Sequence, residues 1–561
     1  MRQYFSISHT GLIIFLLPAF LLEFFLVFFK TGSVPYQPVS VEFSLESGTC
    51  PETAELKLTA PEGYTIRYTT NGYAPTMDSP EYSESLLISG SGNNWLDHDS
   101  AGKIRLKGSN KLNTSEELPD AWIIRAAAFA PDGTSGPVST RTYFPGRDLV
   151  SEFNNIMVVS LVTDPDNLLD YNRGIMIKGR YFDRWAASPV GKKILNEKKW
   201  WMVQANYTQT GTKWERPVSV ELFDGSNRLT GRMDGGLRVH GQASRMYMPK
   251  SLQIIFREEY GGKELDYDLF PEDGVTVSQS FVLRNGGNAA ERFIFKDSWQ
   301  QHLLRGNAFL TQEFRPVVLY LNGEYWGVYS MNDRYSEQYI RQHFGVSDVL
   351  ICKDGVFQDG NKSAFDLYKQ LLSYRNMDMS DPEIWAQFQE IMDVESMAYY
   401  YAAEIYMANY DFHSAQNIEL WRSVMVEPGN PWADGRWRYM MYDTEYSSGL
   451  YGVLNTRPDA NTLLTVISEH PLFASALNSP EFRKLFMTAL KEIGSVYLSS
   501  ERVNQTIDEW SALYRPLMNE HYLRFSDHEK DWNKDIAVVK DFYEKRYSYI
   551  IAYAEEMLPE P

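Results

Sequence analysis

Between Val41 and Phe144 apolar and polar residues alternate in short runs, AELKLTA, YTIRYTT, WIIRAAAFA and STRTYF, separated by Gly, Pro and Asn. Period-two alternation broken by turn residues predicts a small β-sandwich over 41–146. The next runs, IMVVSLV, PVSVELF, GLRVHG and KSLQIIF, are again strand-like. FVLRNGGN then leads through a Gly-Asn turn into a helix whose apolar residues Phe295, Trp299 and Leu303 fall on one face. Asn322-Gly323, set between RPVVLYL and EYWGVYS, predicts a hairpin. From Asn361 the period becomes helical in SAFDLYKQLLSYRN and PEIWAQFQEIMDVESMAYYYAAEIYMANY, with Asp381-Pro382 as a start signal. The expected architecture is multidomain: an all-β immunoglobulin-like sandwich, a β-rich lobe over 148–360, and a helical lobe over 361–561. One hairpin, NIELWR with RWRYMMYD, interrupts the helices.

Gly11 to Phe29 stands apart, with Glu23 as its one charge. A run of 19 residues suffices to cross roughly 30 Å of hydrocarbon as a helix. The run ends in Phe-Phe-Lys with no small-x-small cleavage site, so an uncleaved signal anchor over 1–32 is expected, joined by a linker over 33–40. The expectation is one N-terminal helix in the membrane and the bulk of the chain outside the cytoplasm. Arg2 and Lys30 flank the run too evenly to fix its orientation.

Composition narrows the function. A chain of 561 residues with 43% hydrophobic residues can bury large cores. A formal net charge of −19 excludes non-specific nucleic-acid binding, which needs Lys and Arg against phosphates. Cys50 and Cys352 have no metal-ligand spacing, and free thiols are expected.

The candidate chemistry lies between Asn409 and Gly449. Asp411 follows a long helical run, where a rigid element can present a catalytic group on a turn. Pairing NIELWR with RWRYMMYD brings Asn417 toward Asp443 and Glu445. Those two acids, two residues apart, share a face if the chain there is extended. Together they offer the oxygen ligands that a hard cation such as Mg²⁺ prefers. Lys250 and Lys353 sit in apolar strand-like runs, and a lysine so placed calls for a phosphate or an acid as partner.

Two resemblances sharpen these expectations. TIRYTTNGYAPT, SPEY and IRAAAFAPDGTSGPVSTRTYF resemble the chitobiase C-terminal-type, immunoglobulin-like domain, apart from the insertion between Ser91 and Asp120. Such a domain implies a spacer, or a glycan-binding surface carried by Trp95. WERPVSVELF, GLRVHGQASRMYMPKSLQIIFREEYG, LDYDLF, NGEYWGVY and the Asn409–Gly449 stretch resemble the CotH kinase family of spore-coat-type atypical protein kinases, from about Asp148 to the last helices. The resemblance implies ATP with Mg²⁺ or Mn²⁺ as cofactors and a Ser/Thr-rich protein as acceptor. It assigns Asp411 as the catalytic acid, Asn417, Asp443 and Glu445 to the metal, and Lys250, Lys353 and Asp333 to the nucleotide side. Asp333, Gln416 and Glu445 replace the glutamate, histidine and second aspartate usual in the family. A non-catalytic surface or carbohydrate-binding protein that kept the fold is the alternative. A glycosidase with paired carboxylates is a third reading.

Overall fold

The computed structural model describes residues 37–92, 103–104, 112, 118, 120–271, 274–290, 292–452, 456–525 and 532–559. The expected membrane segment, Trp95 and most of the Ser91–Asp120 insertion lie outside the described residues. Within them, no helix is long and apolar enough to cross a membrane. Cys50 and Cys352 are free thiols.

The first unit is a sandwich of short strands. Trp122–Phe129 pairs antiparallel with Thr65–Thr69 and with Ser139–Pro145, over a core of Leu56, Ile66, Ile88, Ile124, Ala126 and Tyr143. It is docked firmly on the barrel that comes next in the chain. Arg125 pairs with Asp164 at 2.8 Å, Thr142 and Ser160 share a hydroxyl hydrogen bond at 2.8 Å, and the Ala121 N–H donates to the Gly323 carbonyl at 2.7 Å.

That second unit, expected only as β-rich, closes into a seven-stranded barrel. Its order is Arg216–Phe223, Leu229–Val239, Leu252–Ile255, Ser280–Arg284, Glu324–Asn332, Phe314–Leu321 and Met157–Val162. Every pairing is antiparallel except that of Phe314–Leu321 with Met157–Val162. Closure removes the exposed edges of a sheet and fills the interior with Val159, Leu161, Val220, Leu237, Ile254, Phe281, Leu283 and Leu319. The Asn322-Gly323 turn has both residues at positive φ, as a two-residue hairpin requires.

The strands Val349–Lys353 and Val356–Gly360, which the sequence pattern groups with the barrel, belong to a separate sheet. They pair in the order Val356–Gly360, Val349–Lys353, Glu419–Ser423, Arg438–Met440. The long helical run expected to deliver Asp411 divides into Pro382–Ile391 and Val394–Met407, because Met392 is extended and Asp393 caps the second helix through the Ser396 N–H. The C-terminal helices Met518–Phe525 and Trp532–Met557 close the back of the molecule.

Arg524 ties three parts together. Fully buried, it pairs with Glu324 on the barrel hairpin at 2.7 Å and with Asp120 at the end of the sandwich insertion at 3.7 Å. His521, one turn earlier, accepts the Val328 N–H at 3.1 Å, and burial lowers its pKa to about 3, so it is neutral. Removing one partner of a buried ion pair leaves uncompensated charge at a cost of roughly 3–5 kcal/mol. Arg524→Ala should therefore lower unfolding free energy by several kcal/mol in denaturant titration. Adding Glu324→Gln to it should restore part of the loss.

Candidate active site

The site begins where barrel strand Ser280–Arg284 ends. Asn285, wholly buried, fixes the turn: its Oδ1 accepts from the Gly287 N–H at 2.9 Å and from Ser251 at 2.8 Å, and its Nδ2 donates to the Pro249 carbonyl at 2.6 Å. Gly287 has φ +47°, and a Cβ there would stand 2.3 Å from a Glu445 carboxylate oxygen. Only glycine lets the turn approach that acid.

Arg284 is the hub. Its guanidinium pairs with Asp297 at 3.2 Å, with Asp443 at 3.5 Å and, most closely, with Glu445. Burial disfavours its charge, but Glu445, Asp297 and Asp443 more than compensate and raise its pKa. Helix Lys296–Leu303 then grips the loop carrying two of these acids. Asp297 Oδ1 accepts from the Thr444 N–H at 2.8 Å and from its hydroxyl at 3.0 Å. Lys296 Nζ donates to the carbonyls of Glu445 at 2.8 Å and Ser447 at 3.0 Å, and to the Ser447 hydroxyl at 2.7 Å. Gln300 Nε2 reaches Ser448 at 2.8 Å.

This grip shapes residues 441–448. The strand stops at Met440, and Asp443 adopts a left-handed φ of +58°. Asp443 and Glu445 therefore do not stand side by side on an extended face. The Asp443 side chain keeps 27% of its surface open, whereas that of Glu445 is 2% exposed and turned onto Arg284. Burial works against the Asp443 anion, but Glu445, Arg284 and Lys353 together hold its pKa below the usual range. Burial and then Asp443 push Glu445 upward, against Arg284. Charge is thus favoured on the outer acid, Asp443, and disfavoured by burial and by Asp443 on the inner one, Glu445.

Asp411 lies in the short helix Tyr410–His413, partly exposed. Burial, then the charge of Asp443, raises its pKa to about 6. The segment is sewn to the acid loop. Tyr410 N–H donates to the Tyr446 carbonyl at 2.9 Å, Ser448 N–H to the Met407 carbonyl at 2.9 Å, and Asn409 Nδ2 to the Asp443 carbonyl at 3.2 Å. Asn417 sits at φ +60° just before strand Glu419–Ser423, and that strand pairs with Arg438–Met440 in the register Glu419↔Met440, as expected. The hairpin therefore folds Asn417 toward the start of the acid loop.

The two lysines part company. Lys353 ends strand Val349–Lys353 with Nζ 3.1 Å from the centre of the Tyr442 ring, and its charge acts on Asp443. Lys250 is completely buried, donating to the Arg245 carbonyl and lying 4.1 Å from the Tyr207 ring, with burial lowering its pKa to about 7. The segments Asn206–Thr208 and Ala243–Met246, outside the barrel strands, hold it. Asp333 Oδ1 accepts from the Arg334 N–H at 2.6 Å. Lys353, Arg245, Arg334 and Arg284 act together on half-buried His240, which touches the Tyr442 hydroxyl at 3.2 Å and is lowered to about 3, first by loss of solvent. These cations form a basic wall around His240, and two of them, Arg284 and Lys353, also act on Asp443. A separate cavity of about 390 Å³, lined by His302, Arg305, Phe314, Trp510 and Tyr514, contains none of these groups.

Sequence patterns alone do not single out Arg284, Lys296, Asp297 or Glu404. A signal exists for three of them: Arg284 closes the apolar strand FVLR, and KDSWQQ places Lys296, Asp297, Gln300 and Gln301 on one face of a helix whose Trp299 and Leu303 lie on another. Glu404 is hidden in an aromatic helical stripe that reads as core.

Residues 237–550 match the family model described as CotH kinase protein, and residues 55–143 match the one described as Fn3 associated. The first match spans more than half of the chain, which belongs to the CotH kinase family. The second is compatible with the immunoglobulin-like reading of the sandwich. No curated protein matches the chain. The family match starts at 237, inside a barrel strand, yet the barrel closes only with Met157–Val162 and Arg216–Phe223, which lie upstream.

Glu404 carries a testable consequence. Fully buried, it has its pKa raised to about 8 by burial and then by Asp297, Asp443 and Asp411, offset in part by the Asn409 side-chain amide beside it. The folded chain holds a proton there that the unfolded chain, near 4.5, releases. Stability from this group is therefore present at low pH and is lost as pH rises toward 8, by on the order of 1.4 kcal/mol per pH unit at most. Glu404→Gln should match wild type in thermal midpoint at pH 5 and exceed it at pH 8.5.

Proposed function

We propose that the chain is an atypical protein kinase that transfers the γ-phosphoryl group of ATP to a Ser or Thr hydroxyl of a surface or secreted protein. The supporting observation is the pairing, at one cleft, of an outward, ionised Asp443 with a basic wall that includes Lys353 and a half-exposed Asp411 beside it. Phosphoryl transfer needs charge neutralisation and positioning more than covalent chemistry, and this set supplies both.

The residues suit a cation that arrives with the nucleotide. Among the described residues no group of three or more His, Cys, Asp or Glu could hold a metal by itself. Mg²⁺ commonly takes one or two carboxylates and completes its shell with water and phosphate oxygens. Asp443 would be the carboxylate and Asn417 the amide ligand, while Glu445 stays on Arg284 and keeps Asp443 turned outward. When bound, the cation neutralises charge on the phosphate oxygens. Lys353, with Arg245 and Arg334 near it, would face the remaining phosphate charge, and Lys250 would support that wall through the Arg245 carbonyl. Asp333 would serve the same side through the Arg334 backbone.

Asp411 would accept the acceptor hydroxyl's proton as the new O–P bond forms and the bond to the β-phosphate oxygen breaks, with ADP leaving. A base near pH 6 is ionised at neutral pH and still basic enough to help. The sandwich, docked through buried polar contacts, would act as a fixed platform for the acceptor rather than a loose spacer.

Incubation with γ-labelled ATP, Mg²⁺ and a Ser-rich acceptor tests the reading. Wild type should label the acceptor. Asp443→Ala and Asp411→Asn should each lower turnover by 10²-fold or more, on the order expected for a missing ligand or base. Equal background labelling by all three would sink it. Because ionised Asp411 is the active form, kcat/KM should rise about tenfold per pH unit below 6 and level off above it.

A further inference from the structure

The connection between barrel strands Met157–Val162 and Arg216–Phe223 carries a feature that catalysis does not use. Residues 178–202 hold seven lysines and arginines against only Asp183 and Glu197, in a chain whose net charge is −19. Helix Pro189–Asn196 buries Gly191 and Ile194 and leaves Lys192, Lys193 and Asn196 in solvent. The turn after it puts three large apolar side chains out as well: Trp200 is 45% exposed, Trp201 60% and Met202 45%, with Val190 at 61% nearby. Glu197 pairs with Lys199 at 2.7 Å and Lys193 at 3.9 Å, so one acid serves two cations.

Two adjacent tryptophans in solvent are costly in water, and folding has not covered them. The turn is held in place, not frayed: Trp200–Met202 packs on Ala243–Met246, and Arg245 in that segment donates to the Gln209 carbonyl at 2.9 Å. We propose that Trp200, Trp201 and Met202, with Lys192, Lys193, Lys198 and Lys199 around them, dock the folded chain onto the interface of an anionic phospholipid bilayer.

The chemistry favours lipid over other occupants. Tryptophan concentrates at the bilayer–water boundary, where the ring is apolar and the indole N–H stays wet. Lysines beside it gain roughly 1 kcal/mol each near an anionic surface, that is, about fivefold in affinity per charge. A body with an excess of acid is repelled by such a surface in every orientation except one that presents its basic patch. The apolar run from Gly11 to Phe29, long enough to span a bilayer, would bring that surface within reach. Docking would then set which way the cleft faces, because Ala243–Met246 follows closely on His240, which touches the Tyr442 hydroxyl, and leads into Tyr247, which hydrogen-bonds Asn288. The inference stands apart from the catalytic reading and survives even if no phosphoryl transfer occurs.

The test uses the full chain carrying Cys50→Ser, Cys352→Ala and Asn196→Cys, labelled at the new thiol with an environment-sensitive dye. In phosphatidylcholine vesicles containing one-third phosphatidylglycerol the emission should shift to the blue, and in pure phosphatidylcholine it should shift far less. Lys192→Glu with Lys193→Glu, Lys198→Glu and Lys199→Glu should reduce the membrane-buried fraction of dye by at least about tenfold, and Trp200→Ser with Trp201→Ser should do so without changing charge. An aqueous emission in anionic vesicles overturns the proposal, as does an equal shift in wild type and both variants. A blue shift produced in detergent by polyglutamate, with none in vesicles, assigns the patch to an acidic protein and overturns it too.

Discussion

The site depends on one buried guanidinium. Arg284 stands among Asp297, Asp443 and Glu445, and without it three carboxylates would repel one another in a poorly hydrated space. Burial alone would keep these acids protonated and useless as ligands. The charge of Arg284 allows Asp443, the one with an open side, to remain ionised. Its position is inherited from the barrel, since it is the last residue of a strand paired on both sides.

The acid loop is held mostly through its main chain. Lys296 and Asp297 bind its carbonyls and N–H groups, so the loop keeps its left-handed bend at Asp443. Backbone strain of this kind persists only where surrounding contacts over-determine it. Asn409 and the Tyr410–Tyr446 hydrogen bond then fasten the Asp411 segment to the same loop. Barrel, helix and hairpin thus meet within a few residues. The sandwich and C-terminal helices stiffen the far side through Arg524, Glu324 and Asp120.

Elements with a strong local signal are legible in the sequence. The Asn322-Gly323 hairpin, the helix with Phe295, Trp299 and Leu303 buried on one face, and the pairing of Glu419–Ser423 with Arg438–Met440 all arise from turn chemistry and periodicity. Features that depend on distant partners are not legible. Closure of the barrel rests on a parallel pairing across more than 150 residues, and strands Val349–Lys353 and Val356–Gly360 change sheets because Glu419–Ser423 offers them an edge. Extended geometry at Asp443-Thr444-Glu445 is the natural assumption for a strand end. Lys296 and Asp297, 147 residues or more upstream, bend it otherwise. Lys250 and Lys353 look alike in sequence, but the fold buries Lys250 completely against the Arg245 carbonyl and sets Lys353 over the Tyr442 ring, where its charge acts on Asp443.

The central claim is that Arg284 holds Asp443 ionised and outward so that it can receive a nucleotide-borne cation. Titration of the full chain with Mn²⁺ and ATP, followed by the electron paramagnetic resonance of Mn²⁺, tests it most directly. Wild type and Asp411→Asn should bind Mn²⁺ only when ATP is present, whereas Asp443→Asn and Arg284→Met should each weaken that binding at least tenfold. Undiminished Mn²⁺ binding in Asp443→Asn, or none in wild type with ATP, would contradict the account.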